Sequence, residues 1–171
     1  MIVYHITDKE YQPGQIVNIN DFDGDSHYHH KLTEGWKKIN EYLSANRPEG
    51  EPFRQLCLYA FEKPEYCVYF RKKDILKGLS FHLYQCEMNS TQGHPMILVH
   101  QFERLAEENW EQLRNEYWHP TKQWKLMEDL ADELQILEEI PIEGAFRNRS
   151  FMIGNDDYAD DVIKARCFKW F

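Results

Sequence analysis

Runs of strand length and stretches of helical spacing follow one another irregularly along this chain. That irregularity constrains its architecture more than any single motif does. Ile2 to Ile6 is a short apolar, β-branched run that reads as a strand. Pro13-Gly14 breaks it, Ile16 to Ile19 is a second extended piece, and Asn20 to Lys31 is polar and irregular. Thr33 is placed to cap a helix over about Glu34 to Ala45, with Trp36, Ile39, Tyr42 and Leu43 on one face. Arg47 to Pro52, rich in proline and glycine, ends that helix as a loop. Leu56 to Phe61 reads as a strand, and Pro64 then opens a helix running to about Lys73. Leu79 to Met88 and Met96 to Val99 read as extended, with a turn over Asn89 to Pro95 between them. The longest expected helix, about Phe102 to Trp118, repeats apolar residues at Phe102, Leu105, Ala106, Trp110, Leu113 and Tyr117, and Pro120 stops it. Trp124 to Leu130 fits helix or strand, Gln135 to Ile140 reads as a strand, and the last thirty or so residues end in Phe168-Lys169-Trp170-Phe171. Strands and helices intermixed without regular βαβ units define the α+β class.

At 171 residues the chain has the length of one domain, able to close a core without staples. Aromatic residues make up 15% of it, enough to fill that core or to line a cleft that stacks flat ligands. A formal charge of −9 disfavours loose, phosphate-driven nucleic-acid binding; Arg71-Lys72-Lys73 and Arg147/Arg149 are local basic exceptions that read as solvated faces. Cys57, Cys67, Cys86 and Cys167 lack zinc-type or CxxC spacing. The first strand begins within three residues of Met1, which leaves no signal peptide, and no apolar run reaches the roughly 20 residues of a membrane span. Reduced cysteines and a cytoplasmic location are the expectation.

His27-Tyr28-His29-His30, just after Asp21, Asp23 and Asp25, is the strongest metal candidate by composition. Its acidic part fails as a calcium loop, because Ser26 stands where glycine is needed and Leu32 where glutamate is needed. It reads as a polar surface loop, and no metal is expected. Tyr158-Ala159-Asp160-Asp161 resembles a polymerase aspartate pair, but the chain is too short and too acidic for such a fold. Neither a glycine-rich phosphate loop nor a GxSxG elbow is present.

What remains is an ordered set. Tyr4-His5-Ile6-Thr7 places an imidazole on the first strand; Arg54 precedes a strand ending Phe61-Glu62; Leu83-Tyr84 follows a helix; and Glu128-Asp129-Leu130 follows Tyr117-Trp118. In that order these pieces resemble the ADP-ribosyltransferase superfamily, specifically its His–Tyr–Glu branch and small bacterial members of it. The resemblance covers about residues 2–140 and leaves 141–171 as a C-terminal extension of a single domain, 1–171. It implies an α+β fold with a split β-sheet core and flanking helices, cleavage of NAD, and transfer of ADP-ribose to a macromolecular acceptor, a protein or a specific nucleotide. Within it Glu128 is the catalytic carboxylate and His5 grips the adenosine-side ribose or a nearby amide. Tyr4 and Thr7 belong to the same strand motif, with Thr7 supporting His5. Tyr59, Phe61 or Tyr69 supplies a stacking ring, and Arg54 meets a phosphate.

The chemistry is consistent with those residue types. Breaking the nicotinamide–ribose bond develops oxocarbenium character, which a nearby carboxylate stabilises. An imidazole bonds ribose hydroxyls through either nitrogen, and an arginine fork fits a phosphate. Simpler roles stand beside these. His5 also fits a hydrogen-bonded strand residue, Tyr59 and Phe61 fit a core, and Glu138 or Glu139 is as available as Glu128. Asp129 becomes the relevant acid if the register slips by one. Cys57 and Leu58 depart from the family pattern, standing where a small polar residue is expected. A non-catalytic binding module, or a phage or mobile-element accessory protein acting through protein contacts, is the rival reading. If His5 and Glu128 flank one aromatic-lined cleft, the transferase reading with Glu128 gains; if they lie on different faces, it is to be dropped.

Overall fold

The structure, a computed structural model of the chain, describes residues 1–21, 32–89, 92–121, 124 and 127–143. Seven strands form one antiparallel sheet: β1 (Ile2–Thr7), β2 (Ile16–Asn18), β3 (Leu58–Phe61), β4 (His82–Glu87), β5 (His94–Pro95), β6 (Met127–Ala131) and β7 (Glu133–Ile140). Their spatial order is β2-β7-β4-β1-β3-β6-β5, so the first strand lies in the middle. Four α-helices, α1 (Glu34–Ala45), α2 (Pro64–Leu76), α3 (Met96–Phe102) and α4 (Trp110–Trp118), complete the described elements together with short 3-10 turns. The class is α+β, as the intermixed pattern predicts.

Alternation along the strands sorts the sheet into two faces. Ile6, Tyr59, Phe61, Leu83 and Leu130 form one cluster with Ile39 and Leu43 of α1, Tyr66 and Val68 of α2, Leu98 of α3 and Leu113 of α4. Val3, Leu58, Ala60, Tyr84, Cys86, Ala131, Leu134 and Ile136 form a separate cluster on the other face, joined by Val17 and Tyr11. All four helices therefore share one side, while the segment after β1 returns over the opposite side. Tyr84 fixes that return: its hydroxyl accepts the Tyr11 backbone N–H at 2.8 Å and their rings lie 5.6 Å apart.

Most expected elements appear within a few residues of their predicted bounds, and two do not. Met96–Val99, expected to be extended, is the start of α3, with six of its seven residues buried. A short apolar run has no period that separates a buried strand from a buried helix, and Met, Leu and Gln are good helix formers. The single helix expected over 102–118 is instead interrupted after Phe102, passes a 3-10 turn at Glu107–Asn109, and resumes as α4. Trp110 stabilises the break by donating its Nε1–H to the carbonyls of Phe102, at 3.0 Å, and Leu105, at 3.3 Å. The same apolar spacing thus serves two short helices packed on each other, and Phe102 and Trp110 meet edge to face at 5.3 Å. The histidine-rich loop, the late aspartate pair and the aromatic C-terminus lie outside the described residues.

Candidate functional site

Strand pairing decides which predicted residues can meet. Tyr4 pairs with Phe61, and Phe61 with Glu128, which places all three side chains on the helix-covered face. His5, one residue on from Tyr4, points the other way. It pairs with Tyr84 and stands level with Ala60, which in turn pairs with Asp129. The structure therefore does not bring His5 and Glu128 together; the sheet separates them.

Glu128 is fully buried and held by two side chains. The Arg54 guanidinium forms an ion pair with its Oε1, and the Tyr117 hydroxyl donates to the same oxygen at 2.8 Å. Arg54 also donates through Nη1 to the Tyr117 hydroxyl and through Nε to Asn40 Oδ1 at 2.9 Å, and it is 3% exposed. Such a guanidinium offers no open fork for a phosphate, contrary to the role expected of Arg54. The Glu128 charge and the Tyr117 and Tyr59 phenols hold Arg54 firmly protonated, against the desolvation of its burial. These groups form a polar bolt through the helix-side core, tying β6 to α1, α4 and the 3-10 turn at Arg54–Leu56. His94 extends it: its Nδ1 lies 3.2 Å from the Tyr117 carbonyl and its Nε2 3.2 Å from Glu51 Oε2.

The expected stacking rings are core residues. Tyr59 is 6% exposed, donates its hydroxyl to the Arg54 carbonyl at 2.6 Å, and stacks on Phe70 at 6.2 Å. Phe61 is fully buried against Phe70, and Tyr4 and Tyr69 pack half-buried on the same cluster. Thr7 anchors the turn after β1, its Oγ1 accepting the Lys9 N–H at 3.1 Å. Of the predicted set, only His5 and Thr7 share the opposite face.

On that face a polar row crosses the sheet. Glu139 pairs with Tyr84 and Tyr84 with His5, Ala60 pairs with Asp129, and the Tyr4–Phe61 pair between β1 and β3 puts the two sets on the same face. Gly93 continues the row beside β6: a Cβ there would lie 3.4 Å from Asp129 Oδ1. Two interstrand steps separate the His5 and Asp129 backbones by about 10 Å. His5 Nδ1 donates to the Tyr59 carbonyl at 2.8 Å, which leaves Nε2 as the acceptor of the neutral ring. Burial lowers the His5 pKa and keeps that neutral form.

Asp129 is 2% exposed, and its Oδ2 has no hydrogen-bond partner among the described residues. Burial first, then the charges of Glu62 and Glu128, raise its pKa to about 7. Asp129, a carboxyl poised near neutrality, and His5, an imidazole held neutral, are two groups on one face each able to bind a polar ligand or a proton. Asp129 was one of four acids open to the sequence, with Glu128, Glu138 and Glu139. The deciding signal is strand alternation, unreadable while 124–130 fitted helix or strand.

Among the described residues the cysteines carry no reactive thiolate: burial pushes the Cys57 and Cys86 thiols up to about 12 and raises that of Cys67 as well. No group of three or more His, Cys, Asp or Glu able to hold a metal occurs among the described residues. A cleft of about 370 Å³ with Met1, Glu87 and Glu133 in its wall opens at the other end of β4, and none of its lining residues belongs to the predicted set. No helix among the described residues is long and apolar enough to cross a membrane. No protein-family model matches the chain, and no curated protein matches it.

Proposed function

We propose that the His5 face of the sheet binds NAD and that the chain transfers ADP-ribose to a macromolecular acceptor, with Asp129 in the part expected of Glu128. The observation that carries this reading is the placement of His5 and Asp129 on one face of the sheet, opposite to Glu128. His5 Nε2 accepts from a ribose hydroxyl, its ring held by the Tyr59 carbonyl. In the transfer step the nicotinamide–ribose bond breaks and its electron pair leaves with nicotinamide. The ionised Asp129 carboxylate stabilises the positive charge that develops on the sugar. The acceptor then forms the new bond to that carbon and gives up its proton to the carboxylate or to solvent.

A binding module without catalysis is the second reading. It is favoured by the separation of His5 and Glu128 onto opposite faces of the sheet. Incubation with NAD labelled in the nicotinamide ring separates the two. Nicotinamide release that falls at least about a hundredfold in both His5→Ala and Asp129→Asn supports transfer, since a positioned acid–base group contributes about that much or more. Release untouched by both substitutions would refute the site. Nucleotide binding without release would leave the module reading.

A further inference from the structure

We infer that Asp129 and Glu62 together form a carboxylate pair that receives the cationic head of the ligand. Resting on the reading above, that head is the positively charged nicotinamide ring of oxidised NAD. Asp129 supplies the first observation: a buried carboxyl whose Oδ2 lacks any hydrogen-bond donor among the described residues. Buried carboxylates are costly unless paired, and the charges acting on this one, Glu62 and Glu128, are both negative. Glu128 is already neutralised by Arg54 on the far face of the sheet. Glu62 is not: it is exposed, one residue beyond β3, and its carboxylate opposes the ionisation of Asp129.

Asp129 has two ways to relieve the charge that its burial and its neighbours oppose, a proton on its own carboxyl or a cation. Gly93 keeps one flank of Asp129 clear, because any side chain there would sit against Oδ1 and Met127 Cβ. Among the described residues, neither His5 nor His94 supplies the cation. His5 is held neutral by burial, and His94, across from Glu128, presents its ring to Glu51 and the Tyr117 carbonyl. In the resting protein a proton occupies the place, and a bound cation displaces it. Oxidised NAD carries a positive ring where the reduced dinucleotide carries a neutral one of nearly the same shape. The pair therefore discriminates by charge.

Calorimetric titration of the full chain with NAD and with NADH, at pH 6 and pH 8, tests this. 1-Methylnicotinamide and nicotinamide serve as a cationic and a neutral fragment. A preference for the cationic member of about tenfold at pH 8, weaker at pH 6, is expected from a charge-assisted contact. At pH 6 its binding should release a proton, read from the dependence of the heat on buffer ionisation enthalpy. The preference should vanish in Asp129→Asn and shrink in Glu62→Gln; Glu62 is exposed, so the second variant keeps the fold. Equal binding of charged and neutral forms, or a preference unchanged in both variants, would overturn the pair. Failure of both dinucleotides to bind overturns the NAD reading alone if the fragments still divide by charge, and both proposals if they do not.

Discussion

Arg54 and Glu128 show how a residue type can be right and its role different. Each is a charged group that sequence alone assigns to a ligand, yet the two pair with each other inside the core. Removing one partner leaves an uncompensated buried charge, so Glu128→Leu or Arg54→Met should each cost about 3–5 kcal/mol in stability. The double variant should recover most of that loss, because an apolar pair needs no counter-ion. Urea unfolding of the four proteins in a double-mutant cycle measures the difference, and additive losses would contradict the bolt. At this scale Arg54 is illegible from sequence for a definite reason. Its partners Asn40, Tyr117 and Glu128 lie 14, 63 and 74 positions away, and no local pattern encodes them.

Among the elements, the break between α3 and α4 is the clearest case of packing overriding period. The apolar positions from Phe102 to Tyr117 fit one helix, but Trp110 turns its indole back on the carbonyls that such a helix would have used internally. Trp110→Phe keeps the ring and removes the donor, and should cost about 1 kcal/mol, the net value of one buried hydrogen bond. Thermal unfolding checks this, and an unchanged midpoint would mean that the break is held by chain geometry alone. Strand β6 carries the opposite lesson. Once Met127–Ala131 is known to be a strand, alternation alone sends Glu128 to the helices and Asp129 to His5. A one-residue shift would exchange the two acids, which is why the choice between them was a question of register.

For the molecule as a whole, two buried groups give stability a readable dependence on pH. Asp129 has a folded-state pKa of about 7, above its unfolded value, so its contribution is present in acid and is lost as pH rises from about 4 through 7. His5 works in the other direction. Its folded-state pKa lies below 6.5, so its contribution is present above that value and is lost as pH falls. Asp129→Asn should therefore gain on the native protein as pH rises from 4 to 7, and His5→Phe should gain on it as pH falls below 6.5. Melting midpoints across pH 4–8 report both, and parallel curves for native and variant proteins would refute the assignments.

Sequence by itself determined the α+β class, most of the strands, the two helices that open at Glu34 and Pro64, and the presence of a histidine on the first strand. Those features rest on local spacing, capping and chain-breaking residues, which act within a few positions of one another. Among the acids it left Glu128, Asp129, Glu138 and Glu139 open. Only the tertiary structure decided that β1 is central, that the sheet has one helix-covered face and one crossed by a polar row, and that Glu128 belongs to the first while His5 and Asp129 belong to the second. Facing is set by strand register, and register is settled by contacts between residues far apart in the chain. A single-residue change in pairing reverses it while leaving every local propensity the same.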